Sequence, residues 1–184
     1  KNLLTRPITR TDFFLAKCVT VLGIVAIFYL FLLYVSWTGA LARGDLGPGW
    51  DDEQYLVHRS ADEIAGHAWK AVLLSFPSFL AAGFLGLWVS NWTESSGYAV
   101  AIALVLYLLA DFFVGMLNVR VQQKTFFYYG SYALEKLKDY AEGRSVLWNS
   151  EIDKGLLYLK VPLAYVAAFL PFAYGIFRAR DIRS

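Results

Sequence analysis

The stretch CVTVLGIVAIFYLFLLYV, residues 18–35, is a long run of the chain without a single charged side chain. About 20 mostly apolar residues in a helix cross a bilayer core about 30 Å thick. A helix is the expected form, because it satisfies its own backbone hydrogen bonds where no water is present. The run therefore predicts a transmembrane helix, which we extend to residues 13–37.

Three further segments meet the same requirement, at residues 71–92, 98–119 and 156–177. The whole composition agrees, since 58% of the residues are hydrophobic and 17% aromatic, more than is usual in soluble domains. We predict an all-α membrane protein with four transmembrane helices in one domain, residues 1–184. Outer loops are expected over residues 38–68 and 120–155.

Two pairs of polar residues mark helix starts. Thr9 and Asp12 have the spacing of a capping box, in which each side chain bonds to the backbone N–H of the other residue. Ser60 and Glu63 repeat that spacing. We therefore expect the second helix to begin outside the membrane and to enter it near Trp69.

The segment 131–142 has apolar residues at helical spacing on one side and charged residues on the other, with Gly143 placed to end a helix. This pattern predicts an amphipathic helix at the outer interface. The aromatic run FFYY, residues 126–129, suits headgroup depth or a partly re-entrant turn. A solvated loop with a short helix is the alternative.

The distribution of basic residues predicts that both ends lie on the cytoplasmic side. Four crossings place the two ends on one side, and basic residues near the membrane mark the inner side. The inner segments 1–12, 93–97 and 178–184 hold six basic residues and three acids. The longer outer loops hold eight basic residues and eleven acids. The greater basic density therefore lies at the ends.

Several function classes find no support in the sequence. With Cys18 as the single cysteine, an intrachain disulfide is impossible, and no basic surface interleaved with aromatics suggests nucleic acid. No nucleotide-binding or catalytic motif is present. His58 and His67 lack further ligands for a metal, so we interpret them as solvated or interfacial. The glycosylation sequon at Asn91 falls on an inner turn and is interpreted as accidental.

Asp111 is the single acid in the third predicted span. A carboxylate in a span is costly, so it should face protein or a water-filled cavity, or else be protonated, and it should not face lipid. Its helix face includes Tyr107 and the small residue Gly115, which permits close packing. We interpret Asp111 as a structural contact between helices, with a residue of a substrate path as the alternative.

Three segments resemble those of ABC-2-type permeases, the membrane subunits of ABC exporters. The segments are LLTRPITRTDFFLAK at residues 3–17, GLWVSNWTESSG at residues 86–97 and FRARDI at residues 177–182. The first is similar to the stretch that follows the coupling helix in these permeases, the second to a short cytoplasmic turn between spans, and the third to a basic ending. Their order and spacing cover the chain.

The resemblance implies a permease that works with a separate ABC ATPase subunit and a second permease subunit, without a cofactor and without enzymatic activity of its own. Arg6, Pro7 and Arg10 would then lie at the ATPase-coupling surface, where the two arginines pair with acids of the ATPase. Ordinary positive-inside charges are the alternative for both arginines. The resemblance also implies that two spans lie upstream.

Two other functions remain open at this stage. An integral-membrane enzyme would use Asp111 together with His58 or His67, but the carboxylate lies in a span and both histidines lie in a loop. A non-transporting scaffold is the third possibility. Co-purification of an ATPase would distinguish the exporter from both.

Overall fold

The computed structural model describes residues 9–43, 61–93, 96–141 and 155–179. These residues form helices α1 (Arg10–Arg43), α2 (Ala61–Ser90), α3 (Ser96–Gly115), α4 (Val119–Gln122), α5 (Phe126–Ala141) and α6 (Gly155–Ala179), and the described part contains no strand. Four helices are long and apolar enough to span a membrane, over Thr11–Gly39, Ile64–Ser90, Gly97–Gly115 and Tyr158–Ala179. The chain is an all-α, multi-pass membrane protein, as predicted.

Helix α2 is the central element of the bundle, because it packs against α1, α3, α5 and α6. The helices α1 and α3 flank it and leave most of their apolar side chains exposed. Val19 is 70% exposed, for example, and Leu104 is 58% exposed. In a bilayer such side chains contact lipid or other helices at little cost.

The start of α1 confirms the predicted capping box. The Thr9 backbone N–H donates to the Asp12 carboxylate at 3.2 Å, and the Asp12 backbone N–H donates to the Thr9 hydroxyl at 3.2 Å. Each side chain thereby satisfies a backbone donor that has no partner within the helix. The pair Ser60 and Glu63 is not tested, because Ser60 lies outside the described residues. Helix α2 nevertheless begins at Ala61, well before the predicted start of the second span at residue 71.

The third helix ends at Gly115, four residues before the predicted end of its span. The chain then turns through Asn118, whose side chain accepts a hydrogen bond from the Arg120 backbone N–H at 3.1 Å and caps α4. The Gln122 amide donates to the carbonyls of Gly115 at 3.2 Å and Leu117 at 2.8 Å. The turn therefore satisfies carbonyls that the end of α3 leaves without helical partners.

Helix α5 begins at Phe126, five residues before the predicted amphipathic segment, and its apolar face is covered by protein. Tyr129 and Ala133 are buried in a cluster with Ala71 of α2 and Tyr158 of α6. The alternative of a solvated loop is therefore wrong for residues 126–141. The outer loop predicted over 120–155 is largely helical in its described part.

The first turn of α5 lies at mid-depth of the bundle, as the re-entrant interpretation of the aromatic run requires. The Phe126 ring lies 5.1 Å from the ring of Tyr165, seven residues into the last span. A Cβ added to Gly130 would lie 3.7 Å from the Cβ of Ser78, in the middle of the second span. Later in α5, the Tyr132 ring lies 6.1 Å from that of Tyr158, at the start of the last span. The helix thus runs from mid-depth towards the end where α2 and α6 begin.

Candidate functional site

Three helix ends meet around the ammonium group of Lys17. Its Nζ donates to Asn91 Oδ1 at 3.4 Å and lies 5.4 Å and 5.3 Å from the ring centroids of Phe13 and Phe177. Both ring distances are within the range of cation–π attraction. The Asn91 amide in turn donates to the Ala173 carbonyl at 3.1 Å. The start of α1, the turn after α2 and the end of α6 are therefore joined; we call this group of five residues the basal junction.

Apolar contacts stabilise the basal junction around its polar core. The rings of Phe13 and Phe177 stack at 5.9 Å, and Phe14 lies edge-on to Tyr174 at 5.2 Å. Asn91 is only 2% exposed. A buried amide is costly unless its donors and acceptors are satisfied, and here the lysine and the carbonyl of α6 do so. A side chain held in this way is inaccessible to glycosylation, which agrees with the interpretation of the sequon as accidental.

Of the predicted ATPase-coupling residues, Arg10 lies at this same end of the bundle. Arg10 is the first residue of α1, immediately after the capping residue Thr9. Arg6 and Pro7 lie outside the described residues. The structure therefore places the start of α1 beside the short turn after α2 and the end of α6, but it does not test what the two arginines contact.

Asp111 lines a cavity of about 240 Å³ between α3 and the α4–α5 segment. Polar residues Gln122, Ser131 and Glu135 and the aromatic rings of Phe127, Tyr128 and Tyr132 line the same space. No hydrogen bond or ion pair joins the exposed carboxylate to another residue of the described part. Both interpretations of Asp111, a structural contact between helices and a residue of a substrate path, stay predictions.

Tyr107 shows how closely the predicted face of α3 packs. Its ring lies 5.1 Å from that of Phe127 of α5, and it lines a small space together with Ser78 and Phe79 of α2. His67, the histidine proposed as a partner of Asp111 in an enzyme, is on α2 and is not among the residues that line the Asp111 cavity. His58 lies outside the described residues.

Tyr129 fixes the turn that leads into α5. Its hydroxyl donates to the Gln123 carbonyl at 2.7 Å. Burial, with a smaller effect from neighbouring Tyr128, raises the pKa of the Tyr129 hydroxyl above its usual value. The group therefore keeps its proton and remains a donor. The Tyr165 hydroxyl holds the same turn by donating to the Lys124 carbonyl at 3.1 Å.

A second polar contact joins two spans near the middle of α1. The Tyr29 hydroxyl donates to the Val72 carbonyl at 2.6 Å and lies 2.6 Å from the Ser75 hydroxyl, which donates to the same carbonyl at 3.0 Å. Tyr29 and Ser75 are both buried. Sequence reasoning identified neither this contact nor the basal junction. The available signals were a lysine two turns into α1, an asparagine at the end of α2, and a tyrosine and a serine within apolar runs.

Comparison of the chain with family models, with curated proteins and with solved structures found no match. The class of protein, a multi-pass α-helical membrane protein, follows from the fold, because four helices of the described part are long and apolar enough to span a membrane.

Proposed function

We propose that the chain is the permease subunit of an ATP-driven ABC exporter in the cell membrane, with both ends cytoplasmic. It works with a separate ATPase subunit and with a second permease subunit, either a copy of this chain or a similar one. The observation that carries the proposal is the basal junction, because it joins Lys17, Asn91 and Phe177, one described residue from each of the three segments that resemble ABC-2-type permeases.

A permease driven by a separate ATPase needs a rigid connection between its cytoplasmic surface and its spans. The capping box fixes the start of α1, and the stacked rings of Phe13 and Phe177 hold that start against the end of α6. A push on the segment before Arg10 therefore moves α1 and α6 together. Packed helices respond to such a push by shifting between discrete arrangements, and alternating access uses rocking of this kind.

A permease also needs a polar space, and one lies at the end of the bundle opposite the basal junction. The Asp111 cavity lies between a spanning helix and the re-entrant start of α5. A carboxylate that opens onto a cavity instead of bonding to protein is typical of residues on a transport path. In this proposal Asp111 belongs to the path and α5 moves relative to α3 when the path opens.

The experiment is charge reversal at the proposed coupling surface. In Arg6→Glu/Arg10→Glu, both arginines become acids outside the hydrocarbon, so insertion is retained while pairing with acids of the ATPase is replaced by repulsion. The matched control is Arg120→Glu/Lys124→Glu, which reverses two exposed basic residues outside the spans and away from the basal junction. The chain, purified in mild detergent from its native host, is expected to carry an ATPase with it.

The expected result is at least a tenfold loss of the co-purified ATPase activity in the arginine variant and no loss in the control. If no ATPase accompanies the unaltered chain, the exporter proposal is wrong. If an ATPase does accompany it and the arginine variant retains that activity, Arg6 and Arg10 are topology signals only.

A further inference from the structure

An apolar groove of about 750 Å³ lies between α1, α2 and α3. Its volume lies in the upper part of the range that small-molecule sites occupy. The groove owes its depth to small residues on α2 and α3, among them Gly83, Gly86, Ala99 and Ala103. The proposed transport mechanism involves neither this groove nor its small residues.

One end of the groove carries a positive charge. Lys17 lines it, with the hydroxyl of Thr20 one turn away on the same helix. The Lys17 ammonium has three donors, and among the described residues only Asn91 accepts one of them, at 3.4 Å. No carboxylate of the described part is paired with it. The groove is therefore amphipathic, with a long apolar body and a cationic end.

The depth of Lys17 matches that of a lipid headgroup. At 1.5 Å per residue, the 29-residue first span is about 44 Å long, close to the thickness of a bilayer with its headgroups. Lys17 lies six residues, or about 9 Å, from the start of that span. This places it near the boundary between headgroups and hydrocarbon, where an ammonium group meets lipid phosphates.

We propose that this groove binds one anionic phospholipid, with its acyl chain along the small residues of α2 and α3 and its phosphate at Lys17. The positive charge of Lys17 and the negative charge of a lipid phosphate favour this occupant, because basic pockets between spans bind anionic headgroups. A helix of the same chain or of a second copy would require an acid placed at the same depth. The inference does not depend on the exporter proposal.

The test is selective retention of lipid by the full chain. The protein is reconstituted in nanodiscs with equal amounts of phosphatidylglycerol and phosphatidylcholine and then extracted in mild detergent. Native mass spectrometry counts the lipids that remain bound. We expect one retained lipid, with phosphatidylglycerol preferred about fivefold, the factor that corresponds to about 1 kcal/mol for a single lysine at a membrane surface.

Two variants separate the headgroup from the acyl chain. Lys17→Gln should remove the preference, while Lys17→Arg should keep it. Gly86→Leu should abolish retention of either lipid, because a side chain at Gly86 meets nothing within 4 Å and so extends into the groove. The matched controls are Lys160→Gln, an exposed lysine of α6, and Gly23→Leu, a glycine of α1 that also has open space but does not line the groove.

Equal retention of the two lipids by the unaltered chain would overturn the proposal. So would a preference that survives Lys17→Gln, or one that Lys160→Gln removes equally. If Gly86→Leu instead breaks a dimer and leaves lipid retention unchanged, the groove holds a second copy of the chain and the lipid proposal is wrong.

Discussion

Gly83 marks a close approach of α1 and α2, and replacing it tests their packing directly. A Cβ added at Gly83 would lie 2.5 Å from Val25 Cγ2 and 3.2 Å from Val21 Cγ1. The first distance is a steric overlap, so α1 and α2 must separate or Val25 must leave its rotamer. Gly83→Ala is therefore expected to destabilise the bundle, although alanine favours a helix more than glycine does.

The size of the effect follows from a comparison within the same helix. Overpacking typically costs about 1–3 kcal/mol. Gly86→Ala is the matched control, since an added Cβ there meets nothing within 4 Å and the gain in helix propensity, about 0.5–1 kcal/mol, is common to both variants. The difference between the two variants is then the packing cost alone. For a chain of this size it corresponds to about 2–12 °C in thermal midpoint.

The assay is thermal unfolding in detergent, with a compensating substitution to identify the cause. Val25→Ala removes Cγ2 and leaves Cβ, which would lie 3.8 Å from the new methyl group at ordinary contact distance. The double variant Gly83→Ala/Val25→Ala should therefore be more stable than the sum of the single changes predicts, with a coupling of about 1–3 kcal/mol. If Gly83→Ala is as mild as Gly86→Ala, or if Val25→Ala gives no rescue, the close approach of α1 and α2 is refuted.

Three further changes test other parts of the structure. Tyr29→Phe should lower the free energy of unfolding by about 0.6–1.5 kcal/mol, measured by thermal unfolding, because it removes a buried interhelical hydrogen bond. Tyr34→Phe, on the exposed side of α1, should leave that free energy unchanged, and equal effects of the two changes would contradict the contact. Asp111→Asn should change the free energy of unfolding by no more than about 0.5 kcal/mol, because no hydrogen bond is lost, and it should abolish transport in proteoliposomes. A stable variant that still transports would show that Asp111 is not part of the transport path. In a Cys18→Ala background, an impermeant thiol reagent should label a cysteine at Gly49 but not one at Ser184 in intact cells, and the reverse pattern would invert the proposed orientation.

The spans were predictable because their signal is local. Eighteen or more apolar residues in sequence require a helix in a bilayer wherever the rest of the chain lies. The capping box at Thr9 and Asp12 is local in the same sense, and the structure confirms it. The end of α3 was harder, because residues 116–119 are apolar enough to continue a span. The chain turns there because Asn118 and Gln122 satisfy backbone groups that the helix leaves open.

The polar contacts between helices were not predictable from one sequence. The position of Lys17 near the start of a span indicated snorkelling towards the interface, and nothing in its neighbours in sequence identifies Asn91, which lies 74 residues away. For Asp111, too, the sequence does not identify the residues that pack around it. Helical spacing correctly grouped it with Tyr107 on one face of α3, but spacing does not determine which element packs on that face or how closely.

Helix α5 shows why the missing information lies in packing between distant elements. Its amphipathic pattern predicts an interfacial helix. The face is instead covered by Ala71 of α2 and Tyr158 of α6, and the aromatic run continues it down to mid-depth. An apolar face indicates burial, but lipid and protein are nearly equivalent solvents for it inside a membrane. Polar contacts decide between them: the Tyr129 hydroxyl bonds to the Gln123 carbonyl, and the Tyr165 hydroxyl of α6 bonds to the Lys124 carbonyl, which fixes the turn before α5 against the bundle. Neither contact is indicated by the amphipathic pattern of α5.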